Sequence, residues 1–369
     1  MAENESMWRN LTSLVDRKRI SSAQWRLGVL WLILSAVGAG TGPASALTLD
    51  GEEKTETLAD KPGPLEMSAL SYMRFRADVT AIEGMTFETA QVTRDAHKRL
   101  ASHASRDLVA GWMAYAALIA ADTPEFADAV KAEVLGISGD KKKKRKKRRR
   151  RKKGAADLEG RHAFIAKISA DPRYPRSMPG ADAAIAAILS MTDRDHARMT
   201  ALGESFKTQA YAMQKTRWGK RKISMSATQR ISEAEYYTQS RPGIAMPQLV
   251  ASSIDGVSTP GIMTTTDYTW KPDWGYQTTR DNELRAGSDA TIDRILNLAA
   301  RYAVGALNDK VVRTYASSRK SEQCLSLVKL TLNQCIAATR TPYEEAFCLG
   351  EHGLNDVAGC VGWVAGHGG

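Results

Sequence analysis

Residues 324–360 read CLSLVKLTLNQCIAATRTPYEEAFCLGEHGLNDVAGC and contain all four cysteines of a 369-residue chain. Their spacing is C-x10-C, x12, C-x11-C, at Cys324, Cys335, Cys348 and Cys360. Four cysteines allow three pairings, but a fold about Thr341-Pro342 sets Cys335 opposite Cys348 and Cys324 opposite Cys360 around one axis. The expectation is a helical hairpin stapled by two nested disulfides. Eleven residues make close to three helical turns, so Cys324 and Cys335 share a face about 16 Å apart. The second arm fits less well, because twelve residues leave Cys360 about a third of a turn off the Cys348 face. Gly350, Gly353 and Gly359 there predict a kinked or broken helix. Thr341 as N-cap, Pro342 as first helical residue and Glu344 as capping partner mark where that arm starts.

A zinc site on Cys348 and His352 would lack the tight C-x2-4-C pairs such sites use, so no metal is expected. Disulfides persist mainly outside the cytosol. The other end of the chain agrees with this. Arg17, Lys18, Arg19 and Arg26 precede an apolar run from Leu27 to Gly40 and then Ala44-Ser45-Ala46, the three parts of a secretory signal. Residues 1–46 are therefore expected to be removed after Ala46, and the location to be periplasmic or otherwise exported. The alternative is an inner-membrane anchor over 27–46, although the apolar run is well short of the roughly 20 residues that cross a bilayer.

Outside the cysteines the apolar residues recur every three or four positions, which predicts an all-α, bundle-like body. Residues 47–64 read as a flexible lead. Helices are expected over Leu65–Ile82, Phe87–Leu100 and Leu108–Ala120, and a fourth begins at Pro124 and ends across Gly136–Asp140, completing an N-terminal helical region, 65–140. A polybasic linker, 141–154, separates this from a second helical region, 155–240, which includes Leu158–Ile168 and the alanine-rich Ala181–Met213. Residues 241–283, with Pro242, Pro247, Pro260 and Pro272, read as a long ordered loop or short strand pair. The C-terminal region, 284–369, starts with Ser288 as N-cap, runs helical to about Tyr315 and ends in the cysteine hairpin.

The linker holds the run Lys141-Lys142-Lys143-Lys144-Arg145-Lys146-Lys147-Arg148-Arg149-Arg150-Arg151-Lys152-Lys153. The chain is +11 and this run alone +13, so all other residues sum to −2. Adjacent like charges repel, which predicts an extended, disordered segment, either a solvated linker or an electrostatic tether. In an exported protein the polyanions within reach are phospholipid head groups, lipopolysaccharide and cell-wall polymers. Nucleic acid is disfavoured, because no aromatic rings interleave with the charges to stack on bases.

A second candidate site is Tyr268, Trp270, Trp274 and Tyr276, flanked by Asp267, Asp273 and Asp281. These rings offer a platform for a sugar, or pack onto the helices and order the loop. Enzyme signatures are sparse. Neither Ser317-Ser318-Arg319-Lys320 nor Ser326-Leu327-Val328-Lys329 is joined by the companion motifs of penicillin-recognising enzymes. No Gly-rich phosphate loop is found, no cofactor is implied, and the histidines at 97, 103, 162, 196, 352 and 367 are scattered. Asp193-Arg194-Asp195-His196 reads as an exposed helical turn.

Gly203-Glu204-Ser205-Phe206 resembles the Glu-Ser segment that carries the catalytic acid of lytic transglycosylases, which implies Glu204 as a general acid held protonated in an apolar cleft. That family's Gly-Leu-Met-Gln-type segment has a counterpart only in Gly243-Ile244-Ala245-Met246-Pro247-Gln248, at a different distance. Residues 330–360 look like the tail of a group of exported alphaproteobacterial proteins to which no activity is attached, implying a bacterial envelope location. The cysteine ladder is similar in outline to twin-cysteine helical hairpins, scaffold or binding modules with C-x9-C on both arms. The reading that best joins these features is an envelope structural or interaction protein held to an anionic surface by residues 141–153, rather than an enzyme. The alternative is a glycan-cleaving enzyme using Glu204.

Overall fold

Helix α3, Ser105–Ala121, is buried on almost every side, from Leu108 and Val109 through Trp112, Met113 and Tyr115 to Ala120. A helix that is apolar all round must sit at the centre of the body. In this computed structural model, which describes residues 63–144, 153–240, 252–254, 257–259 and 284–367, it does. Around it pack α1 (Pro64–Glu83), α6 (Ala181–Met213), α8 (Asp289–Ala303) and α10 (Arg319–Ala338). The described residues belong to one compact unit from Glu56 to Gly369. Among the described residues the secondary structure is all-helical apart from one short antiparallel pair, Ser252–Ile254 with Val257–Thr259. The 33-residue α6 spans about 50 Å. Its buried stripe, Ile188, Met191, Met199, Leu202 and Phe206, recurs at three and four positions as expected.

The remaining early helices are α2 (Ala90–Ala101), capped by the Thr89 hydroxyl accepting from the Val92 amide, α4 (Pro124–Lys144) and α5 (Lys153–Ala170). Helix α4 does not end at Gly136–Asp140. The helical backbone continues through Lys144. Helix α7, Ala227–Ser240, closes the second region. The helix expected from Ser288 to Tyr315 is two, α8 and α9 (Asp309–Tyr315). Gly305 lies between them with φ +63°, a left-handed conformation that stops α8, and Asn308 recaps α9 by accepting from the Val311 amide.

Both disulfides form as expected, Cys324–Cys360 and Cys335–Cys348, with Cα–Cα distances of 5.7 and 5.8 Å. The second arm of the hairpin is broken, as its glycines predict. It runs as α11 (Pro342–Cys348), a π-helical segment over Leu349–Asn355 and α12 (Asp356–Gly362). The π segment resolves the phase mismatch at Cys360. Extending the series from 3.0 residues per turn for i→i+3 bonding and 3.6 for i→i+4, a π-helix holds roughly 4.3. Seven such residues turn roughly 110° less than α-helical ones, which cancels the third-of-a-turn offset. Glu344 fastens the start of the arm by accepting from the Arg340 and Thr341 amides at 2.6 and 2.9 Å.

Candidate functional site

The cationic run is the connection between two helices that pack as an antiparallel hairpin. Phe126, Val130 and Val134 of α4 and Phe164 and Ile168 of α5 are buried. Outside that core, Lys167 bonds Glu133 at 2.9 Å and Tyr174 donates to the same carboxylate at 2.8 Å. The far end of α5 is held to α8, where Asn297 donates to the Ile168 carbonyl and Arg301 to the Ser169 hydroxyl. Lys141–Lys144 thus close α4 and Lys153 opens α5, while Arg145 to Lys152 lie outside the described residues. Tyr268, Trp270, Trp274 and Tyr276 also lie outside them, as do residues 1–62 with the signal and most of the lead.

Glu204 sits on α6 facing the π segment, with its side chain 58% exposed. It accepts from Lys207 at 2.7 Å and from the Asn355 amide at 2.9 Å. The Lys207 bond, then the Asn355 bond, hold this carboxyl below its ordinary range. A general acid needs the opposite, a carboxyl kept protonated by apolar surroundings. Lys207 also bonds Glu351 at 2.9 Å, so Glu204 belongs to a surface network that ties α6 to the π segment.

The segment Asp193-Arg194-Asp195-His196 is not an exposed turn. Asp193 and Asp195 are buried, and Asp195 anchors a polar centre between α1, α3 and α6. Tyr72 donates to it at 2.7 Å, Arg76 at 3.1 Å, and Arg76 also donates to the Tyr115 hydroxyl. Burial raises the Asp195 carboxyl, opposed by the Arg76 charge, and pushes the Tyr115 phenol to about 12. The sequence does carry a signal for this. Asp195 falls on the same three-and-four spacing as Met191, Met199 and Leu202, so a carboxylate stands where the stripe calls for an apolar residue. Asp193 bonds His367, whose ring stacks on His196 at 3.7 Å between centroids.

A second buried charge sits under the hairpin turn. Arg230 of α7 donates to the Thr339 hydroxyl at 2.8 Å and to the Ile336 and Thr339 carbonyls at 3.1 Å, capping the C-terminus of α10. Its partner Glu345 is at 3.4 Å, and His97 of α2 lies 3.8 Å from that carboxylate with no hydrogen bond to either ring nitrogen. Burial, then the charges of Arg230 and Lys98, lower the His97 imidazole to about 4.

Two clefts flank the disulfides. One, of about 440 Å³, lies beside Cys335–Cys348 and is largely apolar, with Tyr211, Tyr343 and Phe347 in its walls. The other, of about 600 Å³, lies beside Cys324–Cys360 and gathers His196, Arg285, Lys320 and Trp363. Of these four the sequence reading names only His196, as part of a surface turn, and Lys320, in a motif without its companions, and they are dispersed over 168 positions. Among the described residues no group of three or more His, Cys, Asp or Glu side chains is placed to hold a metal. No described helix is long and apolar enough to cross a membrane. The two disulfides indicate an oxidising compartment. No known family model matches the chain, and no curated protein or solved structure shows a significant match.

Proposed function

We propose that this is a structural or interaction protein of the bacterial cell envelope, exported to the periplasm, that holds to an anionic surface through residues 141–153. The observation that carries the reading is the position of the run: its thirteen basic residues comprise the last turn of α4, the first residue of α5 and the connection between them, and that helical pair is itself fixed to a disulfide-stapled body. Each Lys or Arg near an anionic surface contributes about 1 kcal/mol, so half the run engaged gives several. That is adequate for reversible adhesion without a shaped pocket.

Co-sedimentation of the full chain with anionic vesicles, neutral vesicles, lipopolysaccharide and purified cell wall tests the reading, alongside a variant lacking residues 141–153. The expected result is binding to an anionic surface that falls steeply with salt and is lost in the deletion. Equal binding by the two proteins, or binding indifferent to salt, would remove the tether.

A further inference from the structure

The cleft beside the Cys324–Cys360 bridge combines positioned side chains with an apolar wall. Its volume, about 600 Å³, falls within the range of small-molecule sites. At one end Arg285, Lys320 and His196 converge. Each is positioned by the fold. The Arg285 amide donates to the Val364 carbonyl at 3.0 Å, which ties the start of the C-terminal region to the last turn of the chain. Lys320 lies 4.1 Å from the centre of the Trp363 ring, and that indole in turn donates to the Ser321 hydroxyl at 3.0 Å. His196 is stacked on His367, an approach that Gly362 permits, since a Cβ there would lie 2.8 Å from the His196 ring. The disulfide forms part of the lining, so the wall carrying the cations is covalently closed.

The charge is one-sided. Among the described residues of the lining Asp356 is the single carboxylate, and it bonds His352 at 2.8 Å. At the other end the wall is Val328 and Leu327, and Leu327 is 64% exposed with Leu330, 53% exposed, one turn further along α10. A cationic end that opens onto an exposed aliphatic strip fits one class of molecule, an anionic head group joined to a hydrocarbon. A guanidinium and an ammonium together match a doubly charged head best, since charge-assisted bonds to phosphate are short and strong.

We propose that this cleft binds a phosphate-headed amphiphile, with the phosphate between Arg285, Lys320 and His196 and the hydrocarbon along Leu327 and Leu330. The site does not depend on residues 141–153, and the test keeps the two apart. Isothermal titration of the full chain is done in about 0.5 M salt, where the screening length falls to roughly 4 Å and an exposed basic run loses most of its attraction. The probes are dodecyl phosphate below its micelle concentration, dodecyl maltoside and inorganic phosphate.

Dodecyl phosphate is expected to bind one per chain, inorganic phosphate at least tenfold more weakly, and dodecyl maltoside not measurably. Arg285→Gln/Lys320→Gln should weaken dodecyl phosphate at least tenfold. Leu327→Ser should weaken it about threefold without changing inorganic phosphate. If the double variant melts earlier than the parent, the exposed Lys320→Gln alone should still cost at least threefold. Equal binding of phosphate and maltoside amphiphiles, unchanged affinity in a folded Lys320→Gln variant, or no saturable binding of dodecyl phosphate would each overturn the proposal.

Discussion

Gly203 and Gly350 face each other where α6 meets the π segment, and replacing one should destabilise the protein although both lie in helical backbone. A Cβ on Gly203 would stand 2.0 Å from the Asn355 Oδ1 and 2.8 Å from the Gly350 carbonyl oxygen. The first obstacle is a side chain, but moving it breaks the Asn355–Glu204 bond. The second is backbone, and it yields only if the π segment slides. Overpacking of this kind costs about 1–3 kcal/mol, offset by about 1 kcal/mol because alanine is the better helix former. The net for Gly203→Ala is a loss of about 0–2 kcal/mol. Gly136→Ala supplies the control, because a Cβ on Gly136 of α4 meets nothing within 4 Å. That variant should gain up to about 1 kcal/mol. Urea unfolding of the three proteins, followed by circular dichroism, measures both values at an unchanged slope. If Gly203→Ala is as stable as Gly136→Ala, the close approach of α6 to the π segment is not what holds the second arm of the hairpin.

Three further outcomes follow from buried groups and bridges. Replacing Cys335 and Cys348 by alanine should cost about 3 kcal/mol and replacing Cys324 and Cys360 about 4, from loops of 13 and 36 residues. Removing both bridges should cost at least the sum of the single losses, because in a nested pair each closed bridge shortens the loop of the other, and urea midpoints of the three variants decide. His97 binds its proton less tightly folded than unfolded, so stability present above about pH 6.5 is lost as pH falls towards 4, by about 2 kcal/mol at pH 5. Burial raises its neighbour Glu345, which acts in the opposite sense, so the comparison to make is parent against His97→Leu, whose stability should fall less between pH 7 and 5. Arg230→Met strands the Glu345 carboxylate in the interior and should cost about 3–5 kcal/mol, whereas Arg230→Met/Glu345→Met should recover most of that loss in thermal unfolding.

The parts of this fold legible in the sequence are those governed by periodicity and by covalent chemistry. The Ala181–Met213 helix and both disulfide pairs follow from spacing alone. Even the misfit at Cys360 was informative, since a third-of-a-turn error on an arm with three glycines requires a break. The form of the break was not legible, because i→i+5 bonding leaves no residue signature beyond the glycines that allow it. Gly305 was passed over for a related reason: within an apolar helical pattern nothing distinguishes a tolerated glycine from one that ends the helix. The reading of Asp193 and Asp195 as surface applied the usual exposure of carboxylates. What overrides it is pairing, and the partners Arg76, Tyr72 and His367 are more than a hundred positions away.

The outer disulfide, the π segment and the cleft are mutually dependent. Cys360 reaches Cys324 only because the π residues bring it back into phase, and the closed bridge then forms part of the lining that carries Lys320 opposite His196. The π residues, in turn, keep their place because Gly203 and Gly350 let α6 approach. A substitution at Gly203 therefore acts on the cleft in two ways, through the bridge and through Asn355, which a Cβ there would meet and which is part of the lining. Amphiphile affinity should fall in Gly203→Ala at temperatures where the helical signal is still that of the parent. The proposed tether has no such dependence, since it would need only charge and two anchored helix ends, and any salt-sensitive adhesion lost on deleting residues 141–153 should survive the same substitution unchanged.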